Sequence, residues 1–303
     1  MQEMVPPMPT KPPTGQRSTS KWGQERRLEF IDWRLRWDGQ INRVDLTEFF
    51  GISIPQASLD LAKYLEMAPK NAVYDRSAKV YLPGPGFSPL FGSNSPQRYL
   101  NELLARATDV LPPELSFLGW MPSVDLAPVP GRRVPAEVLL PILQAIRSMR
   151  QVVVSYQSVS SLEPTERTLS PHAVAHDGFR WHVRAYCHRR EQFLDFVVAR
   201  ILSVTATSLD SVDAAKDEAW HRMVTLRLGP NPALPLAVQK VIELDYGMEN
   251  GSVELPCRQA LLFYTLRHLD LLDGHGAPPE VQQIALLNRE EVAPFLPTTN
   301  HSR

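Results

Sequence analysis

A chain of 303 residues, 43% of them hydrophobic, is too long for one ordinary compact domain and apolar enough to fill two or three cores. Its net charge of −1 gives no global sign of nucleic-acid or membrane affinity, so any electrostatic footprint must be local. Two cysteines in separate regions argue against a disulfide frame or a thiolate zinc site, and no apolar run approaches the ~18 residues of a membrane helix, so a cytoplasmic protein is expected.

Residues 1–20, rich in Pro, Ser and Thr, read as a disordered tail. Helical patterning starts at Trp22, carries Leu28, Ile31, Trp33 and Leu35, and stops at Asp38-Gly39. Asn42 can cap a short helix holding Val44, Leu46, Phe49 and Phe50. Gly51 supplies the chain reversal, because glycine takes positive φ cheaply. Ser53 can cap the next helix, with Pro55 in its first turn. There Ile54, Ala57, Leu61, Tyr64 and Leu65 follow the apolar spacing, and Pro55, Gln56, Leu59 and Lys63 fall opposite. "AVYDRSAKVYLPG" predicts a hairpin turning at Asp75–Ala78. This order is that of a winged helix-turn-helix, expected over 21–94 and ending in a Pro/Gly-rich hinge, 83–94.

A helix in a DNA major groove needs a polar or cationic outer face. Gln56 can pair with adenine, Leu59 can meet a thymine methyl, and Lys63 and Ser53 suit phosphates. Arg76 and Lys79 sit where a wing reaches flanking backbone. Arg17, Lys21, Arg26, Arg27, Arg34, Arg36 and Arg43 make the region locally basic.

Residues 95–134 read as a linker helix, capped by Ser95, and a Pro-interrupted connector. A further helix then leads into four or five antiparallel strands over 135–208, a small barrel or bent sheet. A linker near 208–218 precedes a compact α/β domain, 218–303. The fold class is α+β, multidomain.

The strand "WHVRAYC" alternates Trp181, Val183, Ala185 and Cys187 with His182, Arg184 and Tyr186. The first set reads as core. The second, joined by Tyr156, Ser158, His172 and Arg200 from neighbouring strands, makes an anion-receptive constellation suited to nucleotides or single-stranded nucleic acid. Two other chemistries stay open. His172, His176, His182 and His188 could hold a metal, although "HAVAH" lies in a strand pattern. His172 and His182 could serve a nuclease as acid and base, although no carboxylate or nucleophile stands at telling spacing. The expectation is a non-enzyme without metal or cofactor.

"RWHVRAYC", with "VSYQS", "RTLSPHAV" and "FVVARI" in order around it, resembles the signature region of WYL-domain regulators. The segment from "EFIDWRLRWDGQ" to "SAKVY" is similar to the WYL regulators encoded beside phage-defence systems of the BREX and CBASS type. The resemblance spans roughly 22–300. It implies a homodimeric regulator binding an inverted-repeat operator through paired winged helices, most often a repressor of its own defence operon. It further implies an Sm-like barrel that senses a nucleic-acid or nucleotide-like ligand, with pocket roles at Tyr156, Ser158, His172, Arg184 and Arg200, and a C-terminal extension domain. The middle triplet position is His182 here, where the family has tyrosine. An enzyme targeted by a winged helix, or a constitutive DNA-binding adaptor, are the rivals.

Overall fold

The computed structural model describes residues 16–272 and 277–296, and the chain divides into two compact units, 1–129 and 130–303. None of the described helices is long and apolar enough to cross a membrane. Residues 1–15 of the expected tail lie outside the described residues, and helix α1 (Gln16–Trp37) begins inside that tail.

In the first unit α1 is followed by α2 (Arg43–Phe50) and α3 (Ile54–Met67), then the hairpin β1 (Ala72–Asp75) and β2 (Val80–Pro83). Asn42 caps α2 through a reciprocal capping box with Asp45, which satisfies orphan N–H groups at the helix start. Gly51 ends α2 at φ 64°, and Ser53 caps α3 with Pro55 in the first turn. Backbone bonds between Ile41 and Tyr81 tie the approach to α2 onto the hairpin. This is the expected winged helix. Its core gathers Phe30, Ile31, Trp33 and Leu35 of α1, Leu46 of α2, and Ala57, Leu61 and Tyr64 of α3. Ile54, expected to face inward, is 60% exposed instead, because the helix begins there and its first turn overhangs the core.

The stretch expected as a hinge folds back. Phe87 and Phe91 pack against the same core, and Asn94 is buried, donating to the Asp32 carboxylate at 2.8 Å. Helix α4 (Pro96–Ala107) also returns: Tyr99 stacks on Trp37 with centroids 4.6 Å apart, and Leu103, Phe117 and Leu118 join the core. Two aromatics, Phe87 and Phe91, and the buried Asn94 amide give the Pro/Gly-rich segment 83–94 enough contact to be held.

The second unit opens with α5 (Ala136–Ser148), which lies on a five-stranded antiparallel sheet. Its strands are β3 (Arg150–Tyr156), β4 (Thr165–His176), β5 (Trp181–Cys187), β6 (Gln192–Val197) and β7 (Ile201–Asp210), in spatial order β6-β5-β4-β3-β7. The closed barrel is not found among the described residues. The edges β6 and β7 do not pair, and the N–H of Val197, at the end of β6, donates to the Tyr156 hydroxyl at 3.3 Å. One sheet face and α5 enclose a core of Val138, Ile142, Val152, Val154, Leu169, Val183 and Ala185.

The short helix α6 (Glu218–His221) leads to a three-stranded antiparallel sheet, order β10-β8-β9. It comprises β8 (Met223–Pro230), β9 (Val253–Arg258) and β10 (Ile284–Leu286), accompanied by α7 (Leu236–Asp245), α8 (Leu262–His268) and α9 (Arg289–Val292). Leu226, Ile242, Leu262 and Leu266 centre its core.

Candidate functional site

On the winged helix, α3 is held from behind by a buried carboxylate. Asp60 is fully buried and accepts from Arg27 Nε at 2.6 Å, Gln24 at 3.3 Å and Gln56 Nε2 at 3.2 Å. Gln56 is therefore half-buried and turned along the helix toward Asp60. Leu59, 63% exposed, and Lys63 point outward, the latter paired with Glu66 at 2.9 Å. Ser53 is exposed, its Oγ accepting from the Gln56 N–H. Arg43 opens α2 on the surface, and Arg76 and Lys79 stand exposed in the hairpin turn, Lys79 at φ 58°.

Most of the expected basic field is internal. Arg26 pairs with Glu29, Arg27 with Asp60, and Arg34 with Asp38 and Asp45, while Arg36 donates to the Asn94 carbonyl at 2.7 Å. The guanidinium groups of Arg26, Arg27 and Arg34 neutralise carboxylates within the fold and so present little free charge to a partner. The side chains of Arg17 and Lys21 lie outside those described.

The polar face of β5 is not open to solvent. His182 and Arg184 are buried, as are Val183, Ala185 and Cys187 behind them, and Tyr186 is half-buried. Trp181, expected in the core, is 52% exposed at the strand end against His176, centroids 4.8 Å apart. Arg184 donates from Nε to Asp217 Oδ2 at 2.7 Å and from Nη2 to Asp217 Oδ1 at 2.9 Å. Its Nη1 donates to Asp195 Oδ1, directly opposite on β6, at 3.2 Å. His172 shares the same carboxylate, Nε2 to Asp217 Oδ2 at 2.9 Å. The β4–β5 register shifts between Pro171 and Ala173, so His172 is the extra residue of a bulge that carries it to Arg184's side. His182 Nε2 meets Asp177 Oδ2 at 2.8 Å, and its ring lies 4.9 Å from Tyr264 of α8. Tyr264 in turn donates to Asp195 at 3.2 Å.

The expected anion-receptive set thus meets three carboxylates. Burial pushes the Asp217 carboxyl up, but the Arg184 and His172 hydrogen bonds and the Arg184 charge outweigh it and hold its pKa well below the carboxylate range. Burial is likewise overcome at Asp177, by bonds from His182, Arg180 and backbone N–H groups. At Asp195 burial wins over Arg184 and the pKa is raised.

Three expected pocket residues lie elsewhere. Tyr156 belongs to the core face with Val152 and Val154, its ring 5.2 Å from Phe196, since alternation along β3 places all three on one side. Ser158 lies past the end of β3 and bonds Ser160. Arg200 ends a short 3-10 turn between β6 and β7. Tyr186 packs edge-on against His188 and Phe193. The four histidines do not converge: His188 meets Ser170 at 2.9 Å, and His176 accepts from Gly178. Among the described residues no three His, Cys, Asp or Glu side chains gather as a metal site.

Sequence reasoning does not identify Asp195, Asp217 and Tyr264. Asp195 was the most legible, a carboxylate inside the apolar run "QFLDFVV", where burial demands a cation. Asp217 and Trp220 anchor the linker: Trp220 meets His172 edge-on at 5.6 Å and lies beneath Arg258 of β9 at 4.8 Å.

Three family models match in chain order. The BrxR transcriptional regulator winged helix-turn-helix domain matches residues 23–105, the WYL domain 137–206, and the BrxR transcriptional regulator C-terminal dimerization domain 223–292. The chain is 48% identical over 94% of its length to a protein of Pseudomonas aeruginosa named DNA-binding transcriptional repressor CapW, covering 96% of that protein. Proteins of the same name from Escherichia coli (strain KTE188) and Stenotrophomonas maltophilia are 47% and 44% identical, each over 92% of this chain and 94% of the relative. With a winged helix, a WYL domain and a dimerization domain in this order, the chain belongs to the WYL-domain transcriptional regulators, in the phage-defence-associated branch that includes the CapW repressors.

Proposed function

We propose that this protein is a homodimeric, DNA-binding transcriptional repressor of a defence operon and of its own promoter, acting in the cytoplasm on an inverted-repeat operator. The observation that carries the reading is the clamp on α3. Asp60 fixes the inner side of the helix, and Leu59 and Lys63 are left outward beside an exposed wing bearing Arg76 and Lys79. An exposed leucine beside a lysine suits a thymine methyl and a phosphate. Arg43 and the Ser53 helix start would add backbone contacts, and Gln56 would read a base after releasing Asp60. Two such helices, joined through the C-terminal domain, would meet successive half-sites.

Release of the operator would follow binding of a nucleic-acid or nucleotide-like ligand to the WYL domain, which must favour one dimer geometry over the other. Arg184, His172 and His182 are the sheet residues suited to an anion. The ligand would take the place of Asp217, and the linker would move with it. Tyr186, half-buried on the same strand, would line the approach, and Tyr156, Ser158 and Arg200 would join only after rearrangement.

Footprinting of the DNA upstream of the gene tests the core of this reading. Protection of an inverted repeat by the wild type, lost in Gln56→Ala with Lys63→Ala, is expected. No protected repeat, or unchanged protection by the double variant, would overturn the assignment.

A further inference from the structure

Beside the Arg184 cluster lies a cleft of about 290 Å³. Its walls are the β4–β5 turn, α8, and Arg132 from the stretch before α5. Its charge is one-sided. Arg132, Arg180 and Arg267 bring guanidinium groups and His268 an imidazole, against one carboxylate, Asp177. That carboxylate is already engaged by Arg180 Nε at 3.0 Å, His182 at 2.8 Å and two backbone N–H groups of the turn. Arg132 and Arg267 are exposed, and among the described residues neither has an ion pair or a side-chain hydrogen bond.

The cleft also offers a flat apolar surface. Phe179 is 56% exposed, its ring 5.1 Å from His268. Gly178 makes this placement possible: it stands at φ 95°, and a Cβ there would come within 3.2 Å of the His268 ring. Tyr264 forms the remaining wall, and it reaches the interior through Asp195 and His182, whose Nδ1 is buried without a partner.

Guanidinium forks match phosphate oxygens, and an exposed aromatic ring beside them is a stacking platform for a base. We propose that this cleft binds a nucleotide, its phosphates held by Arg132, Arg180 and Arg267 and its base laid against Phe179. The site is separate from the Arg184 cluster, where carboxylates already occupy the guanidinium. Its walls come from both the WYL sheet and α8 of the dimerization domain, so a bound nucleotide would bridge the two. Binding itself stands apart from the repressor reading, and only its effect on the operator rests on that reading. The nucleotide could be free or the phosphorylated end of an oligonucleotide, which share this chemistry.

Calorimetry on the full chain tests the proposal with ADP, a 5′-phosphorylated adenine dinucleotide, pyrophosphate and adenosine as probes. ADP or the dinucleotide is expected to bind more tightly than adenosine, and whichever binds better identifies the source. Loss of at least about tenfold in affinity is expected for Arg267→Glu and for Arg132→Glu, since each removes charge-assisted bonds. Phe179→Ala should weaken ADP more than pyrophosphate. The three side chains are exposed, so an unchanged Tm verifies folding. Absence of binding by both nucleotides at millimolar concentration overturns the site, as does equal affinity in the wild type and all three variants. Binding lost in Arg184→Ala but kept in Arg267→Glu would also overturn it, by moving the ligand to the sheet. Nucleotide binding without any operator binding would instead overturn the repressor reading.

Discussion

Asp217 grips Arg184 with both carboxylate oxygens, at 2.7 and 2.9 Å, and both side chains are buried. One partner sits on a central strand of the WYL sheet, the other in the linker to the dimerization domain. Removing one member of such a pair leaves a buried charge uncompensated. Asp217→Ala should therefore cost about 3 kcal/mol in urea denaturation. Because Arg184 also serves the buried Asp195, recovery is expected only when all three charges go, in Arg184→Met with Asp217→Leu and Asp195→Asn. A loss as large in the triple variant as in the single one would show that the buried charges are not the cause.

The same carboxylates set an acid response. A carboxyl held low contributes stability that is complete above its unfolded pKa of about 4 and is lost as pH falls toward the lower folded value. Asp177 and Asp217 act this way. Asp195, raised by burial, acts oppositely and loses its contribution as pH climbs above about 4. Unfolding free energy measured from pH 6 downward should fall below about pH 4, with a shallower fall in Asp217→Asn. An identical slope in that variant would exclude Asp217 as a source.

In the winged helix, the fully buried Asp32 accepts from the Tyr64 hydroxyl at 2.6 Å, Asn94 at 2.8 Å and the Leu90 N–H at 3.1 Å. Burial and the neighbouring Asp32 charge push the Tyr64 pKa well up, so the phenol stays a donor. Tyr64→Phe should destabilise by roughly 2 kcal/mol, the loss of a bond to a charged acceptor. A thermal melt following tryptophan fluorescence reads this directly, since Trp33 lies in the same core.

Operator affinity should respond to Lys63→Ala in a sequence-independent way. The slope of log affinity against log salt should fall in magnitude by about 1, the signature of one phosphate contact. Leu59→Ala should instead reduce the preference for operator over unrelated DNA. A salt slope unchanged in Lys63→Ala would place that lysine away from the backbone.

Helix α7 leaves Leu236, Val241 and Leu244 exposed in the domain that matches the dimerization model, and Leu244 is 84% exposed. An apolar stripe of this kind is covered when a second copy docks. Leu244→Glu should shift sedimentation from dimer toward monomer, with the fold intact by circular dichroism. A dimer of unchanged stability would place the interface on another face.

Local rules made much of the protein legible from its sequence. Asn42, Gly51, Ser53 and Ser95 mark helix ends because capping depends only on neighbours a few residues away. Alternation in "WHVRAYC" separated the Val183 side from the Arg184 side, and the family was readable from motif order. What only the tertiary structure decided is what those sides meet. Arg184 looked free because Asp195 is opposite on another strand and Asp217 is 33 residues away. Gln56 looked outward until Asp60 drew it in, and the arginines of α1 looked basic until their carboxylates were in place. The sheet is open among the described residues, with β6 and β7 as its two edges, and alternation along single strands does not reveal which strands pair. Charge and hydrogen bonding act through space over a few ångströms, so residue spacing along the chain identifies the groups but not their partners.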